Sequence, residues 1–166
     1  MKKILLSAIM LMALFVNTKA QSTAQATATA TIVTPISITK NVNMSFGNIA
    51  VTSSGGTVIL APAGTRTTTG GVTLPSTTGT VTAADFTVTG NGSYTYAITL
   101  PTTVTLTRAS GSETMNATSF TSTPSGTGAL TAGTQNLKVG ATLTVAAAQV
   151  AGVYTSGNFD VTVNYN

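Results

Sequence analysis

The sequence predicts an all-β protein, an antiparallel β-sandwich. Three observations carry that expectation. Threonine alternates with apolar residues along much of the chain, as in Phe86-Thr87-Val88-Thr89, Val104-Thr105-Leu106-Thr107, Leu143-Thr144-Val145 and Val161-Thr162-Val163. A two-residue period puts one side of a strand in the core and the other in water, and the branched Cβ of threonine suits a pleated strand better than a helix. Glycines punctuate the pattern at Gly55-Gly56, Gly70-Gly71, Gly90-Asn91-Gly92 and Gly126 with Gly128, where turns between strands are expected. After the first 20 residues no stretch keeps a helical period. Many short strands in a chain of this length point to a sandwich.

The elements follow in order. Residues 1–20 have the layout of a secretory signal peptide: Lys2 and Lys3, an apolar run from Ile4 to Val16, and the small-residue site Thr18-Lys19-Ala20. The apolar run is too short to cross a bilayer as a helix, so no membrane insertion is expected once the leader is removed. Residues 21–166 are then one exported domain, long enough to bury a core, with the periplasm, the outer surface or the extracellular space as its destination. Strands are expected over 24–33, 36–40, 42–51, 57–61, 71–75, 79–82, 84–90, 93–100, 103–107, 113–121, 127–131, 135–147 and 157–165, with a hairpin inside the Thr/Ser/Gly-rich stretch 64–82.

The two ends are the most informative parts. Even positions from Ala24 to Phe46 are apolar apart from Thr34 and Lys40. Pro35 interrupts the run, because it donates no ladder hydrogen bond. Two strand segments therefore share one apolar face, with a bend between them, and the first is an arm over 24–33 carrying Ala26, Ala28, Ala30 and Ile32. At the other end Phe159, Val161, Val163 and Tyr165 form a second strict alternation.

Composition excludes much chemistry. The chain has no His and no Cys, so Ser-His-Asp and Cys-His nucleophilic machinery, His- or thiolate-bound zinc and a disulfide framework are all closed to it. The formal charge is +4, but Lys2, Lys3 and Lys19 belong to the leader. Residues 21–166 keep Lys40, Arg66, Arg108 and Lys138 against Asp85, Glu113 and Asp160. Four scattered cations make no phosphate-tracking patch, so no nucleic-acid partner is expected. The three carboxylates are far apart in sequence, and solvated surface is the better account of them than a glycosidase pair. No catalytic residue, cofactor or metal site is expected.

Smaller motifs resolve the same way. Leu74-Pro75-Ser76-Thr77-Thr78 is internal and has no membrane tail behind it, so it is a hairpin loop rather than a sorting signal. Gly90-Asn91-Gly92 precedes no helix and is a tight turn, not a dinucleotide fingerprint. Tyr94 and Tyr96 share a parity with Ile98 and Leu100, which favours core packing over a sugar platform. Asn43-Met44-Ser45, Asn91-Gly92-Ser93 and Asn116-Ala117-Thr118 are formal glycosylation acceptors.

Several longer runs are shared with a known family: Ala26 through Lys40, Ser45-Phe46-Gly47-Asn48-Ile49, Arg66 through Val72 as a turn region, Val139-Gly140-Ala141-Thr142-Leu143, and Gly152-Val153-Tyr154-Thr155-Ser156-Gly157 followed by Val161 through Tyr165. Together they resemble, over essentially the whole of 21–166, the secreted bacterial family called domain of unknown function forty-four-zero-two. The resemblance implies an immunoglobulin-like sandwich related to spore coat protein U and to chaperone–usher pilins, and no established activity. Pilin-like subunits end on an alternating strand with a penultimate Tyr and a Gly some way before it. Tyr165 is penultimate, and Gly152 lies close to the expected place. Pilins also carry a disulfide, which this chain cannot form.

Two uses of the ends stay open. In strand donation, one subunit's arm fills a groove beside the last strand of the next by β-augmentation, with a periplasmic chaperone guarding the exposed edge and an usher exporting the product. Alternatively, 24–40 is the first strand of the domain's own sandwich, switching sheets at Pro35. Three Ala methyls and Ile32 offer only about 5 kcal/mol of apolar burial, with roughly 1 kcal/mol net per backbone hydrogen bond, so neither use dominates. The expected function is a non-enzymatic, pilin-like or coat-like structural subunit that pairs with itself or with sister subunits. The alternative is a monomeric secreted adhesin or glycan-binding module.

Overall fold

The computed structural model describes residues 21–166. The leader expected over 1–20 lies outside the described residues. Residues 21–32 fall in a separate unit from Val33–Asn166. They carry no strand and are exposed, Ile32 at 97%.

The strand expected over 24–33 is therefore not formed, and the first ladder starts after Pro35. From there the protein is all-β and antiparallel, with no helix among the described residues. One large sheet runs in the order β1 (Ser37–Val42), β6 (Ala84–Thr89), β11 (Thr134–Val145), β9 (Thr114–Thr123), β8 (Thr103–Arg108) and β12 (Tyr154–Thr155). On its other branch β3 (Ala50–Leu60) joins β11, and β4 (Arg66–Thr73) joins β3. A second sheet runs β10 (Thr127–Ala129), β7 (Thr95–Thr99), β13 (Thr162–Tyr165), and a short ribbon pairs β2 (Ser45–Phe46) with β5 (Val81–Thr82).

The long strand β11 organises the large sheet. Along one edge it pairs first with β6, through Val139, and then with β3, from Ala141. Its other edge holds β9. Gly140 sits at the handover, where a Cβ would strike the Leu60 carbonyl. Its inward side chains, Leu137, Val139, Ala141, Leu143 and Val145, are all buried, because a strict two-residue alternation keeps them on one face.

They feed two cores. The first gathers Phe46, Val58, Leu60, Val72, Ala117, Ala141, Leu143 and Val145. The second lies between the two sheets and gathers Phe86, Val88, Leu137 and Val139 from the large sheet with Tyr96, Leu130 and Val163 of the small sheet and its flank. Each fully buried Leu or Val contributes about 1.5–3 kcal/mol. Tyr96 is fully buried, and its hydroxyl donates to Gln135 Oε1 at 2.7 Å, which satisfies the one polar atom the ring brings inside.

The expected strand boundaries need several corrections. Gly55-Gly56 and Gly70-Gly71 are not turns. They lie inside β3 and β4, where Gly56 pairs with Gly70 beside a register shift. The backbones come so close that a Cβ on Gly56 would meet the Thr69 carbonyl, and one on Gly71 the Ser54 carbonyl. The Arg66–Val72 run is accordingly strand, and the hairpin turn is at Ala61–Thr65, closed by an Ala61 N–H bond to the Thr65 carbonyl at 2.9 Å. The strand expected over 42–51 breaks at Gly47, whose φ is +66°. Tyr94 is 45% exposed, because it lies in the turn before β7 rather than in the strand.

Candidate strand-pairing edge and its surroundings

β13 forms because Val163 and Tyr165 alternate with Thr162 and Asn164, so its inward side chains reach the second core while the others stay in water. It is the last strand of the small sheet. Its register on β7 pairs Thr162 with Thr99 and Asn164 with Ala97, and the Asn166 N–H reaches the Thr95 carbonyl at 3.3 Å. Hydrogen-bonded positions alternate along an antiparallel pair. The backbone groups of Thr162 and Asn164 therefore point at β7, and those of Val163 and Tyr165 point to the outer edge, which carries no strand among the described residues.

β1 is the terminal strand of the large sheet, paired only with β6, and it touches β13 of the small sheet. Half-buried Ile36 and Ile38 on the β1 side, and Phe159, Val161 and Tyr165 on the other, pack against the second core. The Tyr165 hydroxyl closes one end of this junction. It donates to the Thr34 carbonyl at 2.8 Å and accepts the Asn91 N–H at 2.6 Å. Tyr94 stands edge-on to its ring, with centroids 5.6 Å apart.

The residues expected at the two ends are placed as follows. Ala26, Ala28, Ala30 and Ile32 are exposed and outside any strand. Val163 and Tyr165 lie in β13. Phe159 and Val161 precede it in an unpaired stretch, with Phe159 against Phe120 at 5.7 Å. Gly152 is not on this edge: it precedes β12, with φ +153° and the Arg108 side chain over its Cα.

The three carboxylates stay apart. Glu113 holds Arg108 through bonds of 2.7 and 3.1 Å, and this contact keeps the Glu113 carboxyl below its usual range and pushes the Arg108 guanidinium above its own. Asp85 Oδ1 accepts the side-chain amides of Asn41 and Asn136 at 2.7 and 2.8 Å. Asp160 lines an open cleft of about 480 Å³. Among the described residues no cluster of three or more His, Cys, Asp or Glu is arranged to hold a metal.

Two features escape the sequence reading. The Arg108–Glu113 pair joins positions five apart across a hairpin turn, a spacing with no motif value. Arg66 donates to the Phe46 carbonyl and, at 3.0 Å, to the Asn48 carbonyl, so one of the four scattered cations is a brace for the bend at Gly47.

The family model described as Domain of unknown function (DUF4402) matches residues 36–165. No match is found among curated proteins or among solved structures.

Proposed function

The chain belongs to this family of domains of unknown function, and on that premise we propose that it is a non-enzymatic structural subunit of a bacterial surface, of immunoglobulin-like, pilin-like or coat-like build, assembled by strand donation. One observation carries the reading: the last strand presents an outer edge at Val163 and Tyr165 with no strand on it among the described residues. Beside that edge, half-buried apolar side chains already pack on the second core. Such an edge is a template for another chain. The arm with Ala26, Ala28, Ala30 and Ile32 has the alternation such a template accepts, and its apolar side chains are exposed. The same exposure makes a periplasmic chaperone and an outer-membrane usher the expected partners, after export by the leader.

The test is removal of residues 21–33 from the subunit, leaving the leader in place. The intact protein should give a ladder of multimers on unheated gels. The truncated one should remain folded, with the same β-sheet circular dichroism, and run as single subunits. A ladder that survives the truncation excludes the arm as donor. An intact protein that stays monomeric at every concentration excludes the structural-subunit reading.

A further inference from the structure

We propose that the cleft between β8 and the stretch leading into β13 is a binding site for a neutral pyranose sugar unit. It lies toward β7 and β8 rather than at the outer edge of β13, sharing Phe159 with the surroundings of that edge, and its test does not depend on strand donation.

The cleft arises from a parting of two paired segments. Residues 154–155 pair with β8 at Arg108 and Thr107, and pairing resumes only where Thr162 meets Thr99. Between those points 156–161 and 100–106 are not paired with each other and leave an open cleft of about 480 Å³, within the usual size of a small-ligand site. The floor is apolar. Leu100, Val104 and Phe159 are half-buried: Val104 packs on the first core, Leu100 and Phe159 on the second, and the Phe120 ring packs tilted against that of Phe159.

The rim is polar and under-used. Ala109 N–H bonds to the Val153 carbonyl at 2.9 Å, while Arg108 N–H points the other way, to the Glu113 carbonyl at 2.9 Å. By the alternation of an antiparallel ladder, the backbone N–H and C=O of Thr103 and Thr105 therefore face the cleft. Among the described residues no backbone partner meets them there. The exposed side chains of Asn158 and Asp160 stand on the opposite rim.

Three properties select the ligand. An apolar floor suits the C–H face of a sugar ring. Mixed donors and acceptors around it, from two backbone positions, an amide and a carboxylate, suit hydroxyl groups that both give and accept hydrogen bonds. The one charge in the lining is the Asp160 carboxylate, which disfavours acidic sugars, phosphates and sulfates. The gap is closed at both ends by paired segments, Tyr154–Thr155 on β8 and Thr162 on β7, so a compact ring is favoured over a peptide that would have to run on past them.

The experiment is saturation-transfer NMR on the full exported chain with the methyl glycosides of glucose, galactose, mannose and N-acetylglucosamine, alongside Asp160→Ala, Asn158→Ala and Asp160→Asn. Both alanine sites are exposed, so the variants should fold as the parent does. At least one glycoside should receive magnetisation on its ring protons, with affinity about tenfold weaker in Asp160→Ala and mostly retained in Asp160→Asn, which still accepts a hydrogen bond. The proposal fails if none of the four glycosides gives a signal, if the signal in both alanine variants equals that of the parent, or if cadaverine binds with a dependence on the Asp160 charge and the sugars do not.

Discussion

The hydroxyl of Tyr165 lies 2.8 Å from the carbonyl oxygen of Thr34, joining the last strand to the chain just ahead of the first. The Tyr165 hydroxyl oxygen itself accepts the Asn91 N–H at 2.6 Å. One side chain thus ties together three segments that are distant in sequence: the approach to β1, the turn before β7 and the end of β13. Gly90 makes room for it, since a Cβ there would meet the hydroxyl.

Tyr165→Phe keeps the ring against Tyr94 and removes only the hydroxyl. Each lost hydrogen bond costs about 1 kcal/mol, less where water reaches the stranded groups. The urea midpoint should fall by an amount corresponding to about 1–2 kcal/mol with an unchanged slope, and amide exchange at Asn91 should accelerate.

The paired glycines of β3 and β4 predict a larger effect. Gly71→Ala and Gly56→Ala place a methyl against a backbone carbonyl, which no rotamer change relieves. The strands must move apart, so each variant should lose about 2–4 kcal/mol. Gly64→Ala is a poor control, because its φ of +84° carries its own strain. Gly157→Ala, with open space at its Cβ, should be near neutral when the three variants are compared with the parent by thermal melting.

Arg66→Met retains an unbranched stem and removes the donors that hold the Phe46 and Asn48 carbonyls. Hydrogen bonds from a charged donor are worth about 1.5–3 kcal/mol each before solvent screening, and this side chain is half-buried. A loss of about 1–2 kcal/mol is expected, with increased hydrogen exchange confined to residues around Gly47.

Stability should fall off at both ends of the pH scale, by different groups. Glu113 has its carboxyl lowered, first by the hydrogen bond from Arg108. A lowered carboxyl supports the fold above the ordinary carboxylate range, and that support is lost as pH falls through the lowered value. Arg108→Met should remove this part of the acid sensitivity, and added salt should blunt it. Tyr96 has its phenol raised by burial. A raised phenol supports the fold below the ordinary tyrosine range, and the support is lost as pH rises through the raised value. Phenolate absorbance from Tyr96 should therefore appear together with alkaline unfolding, and Tyr96→Phe should ionise no such group.

The amino-acid sequence by itself determined the class of the fold and most of its strands. The alternation in β6, β7, β8, β11 and β13 is a local property, readable because each strand hides one face and wets the other. It also determined what chemistry is impossible, since residue types that are absent cannot be supplied by folding. The tertiary structure alone decided which backbones touch. Gly56 and Gly70 look like turn residues in one dimension and are cross-strand neighbours in three, because both a turn and a close approach demand a missing Cβ. It decided that β11 serves two partners on one edge, that Arg66 braces a bend, and that the chain parts around Asn158–Asp160, since each of these depends on residues brought together from distant positions. The 24–33 segment has the period of a strand and forms none, because a strand exists only where another backbone stands ready to take its hydrogen bonds.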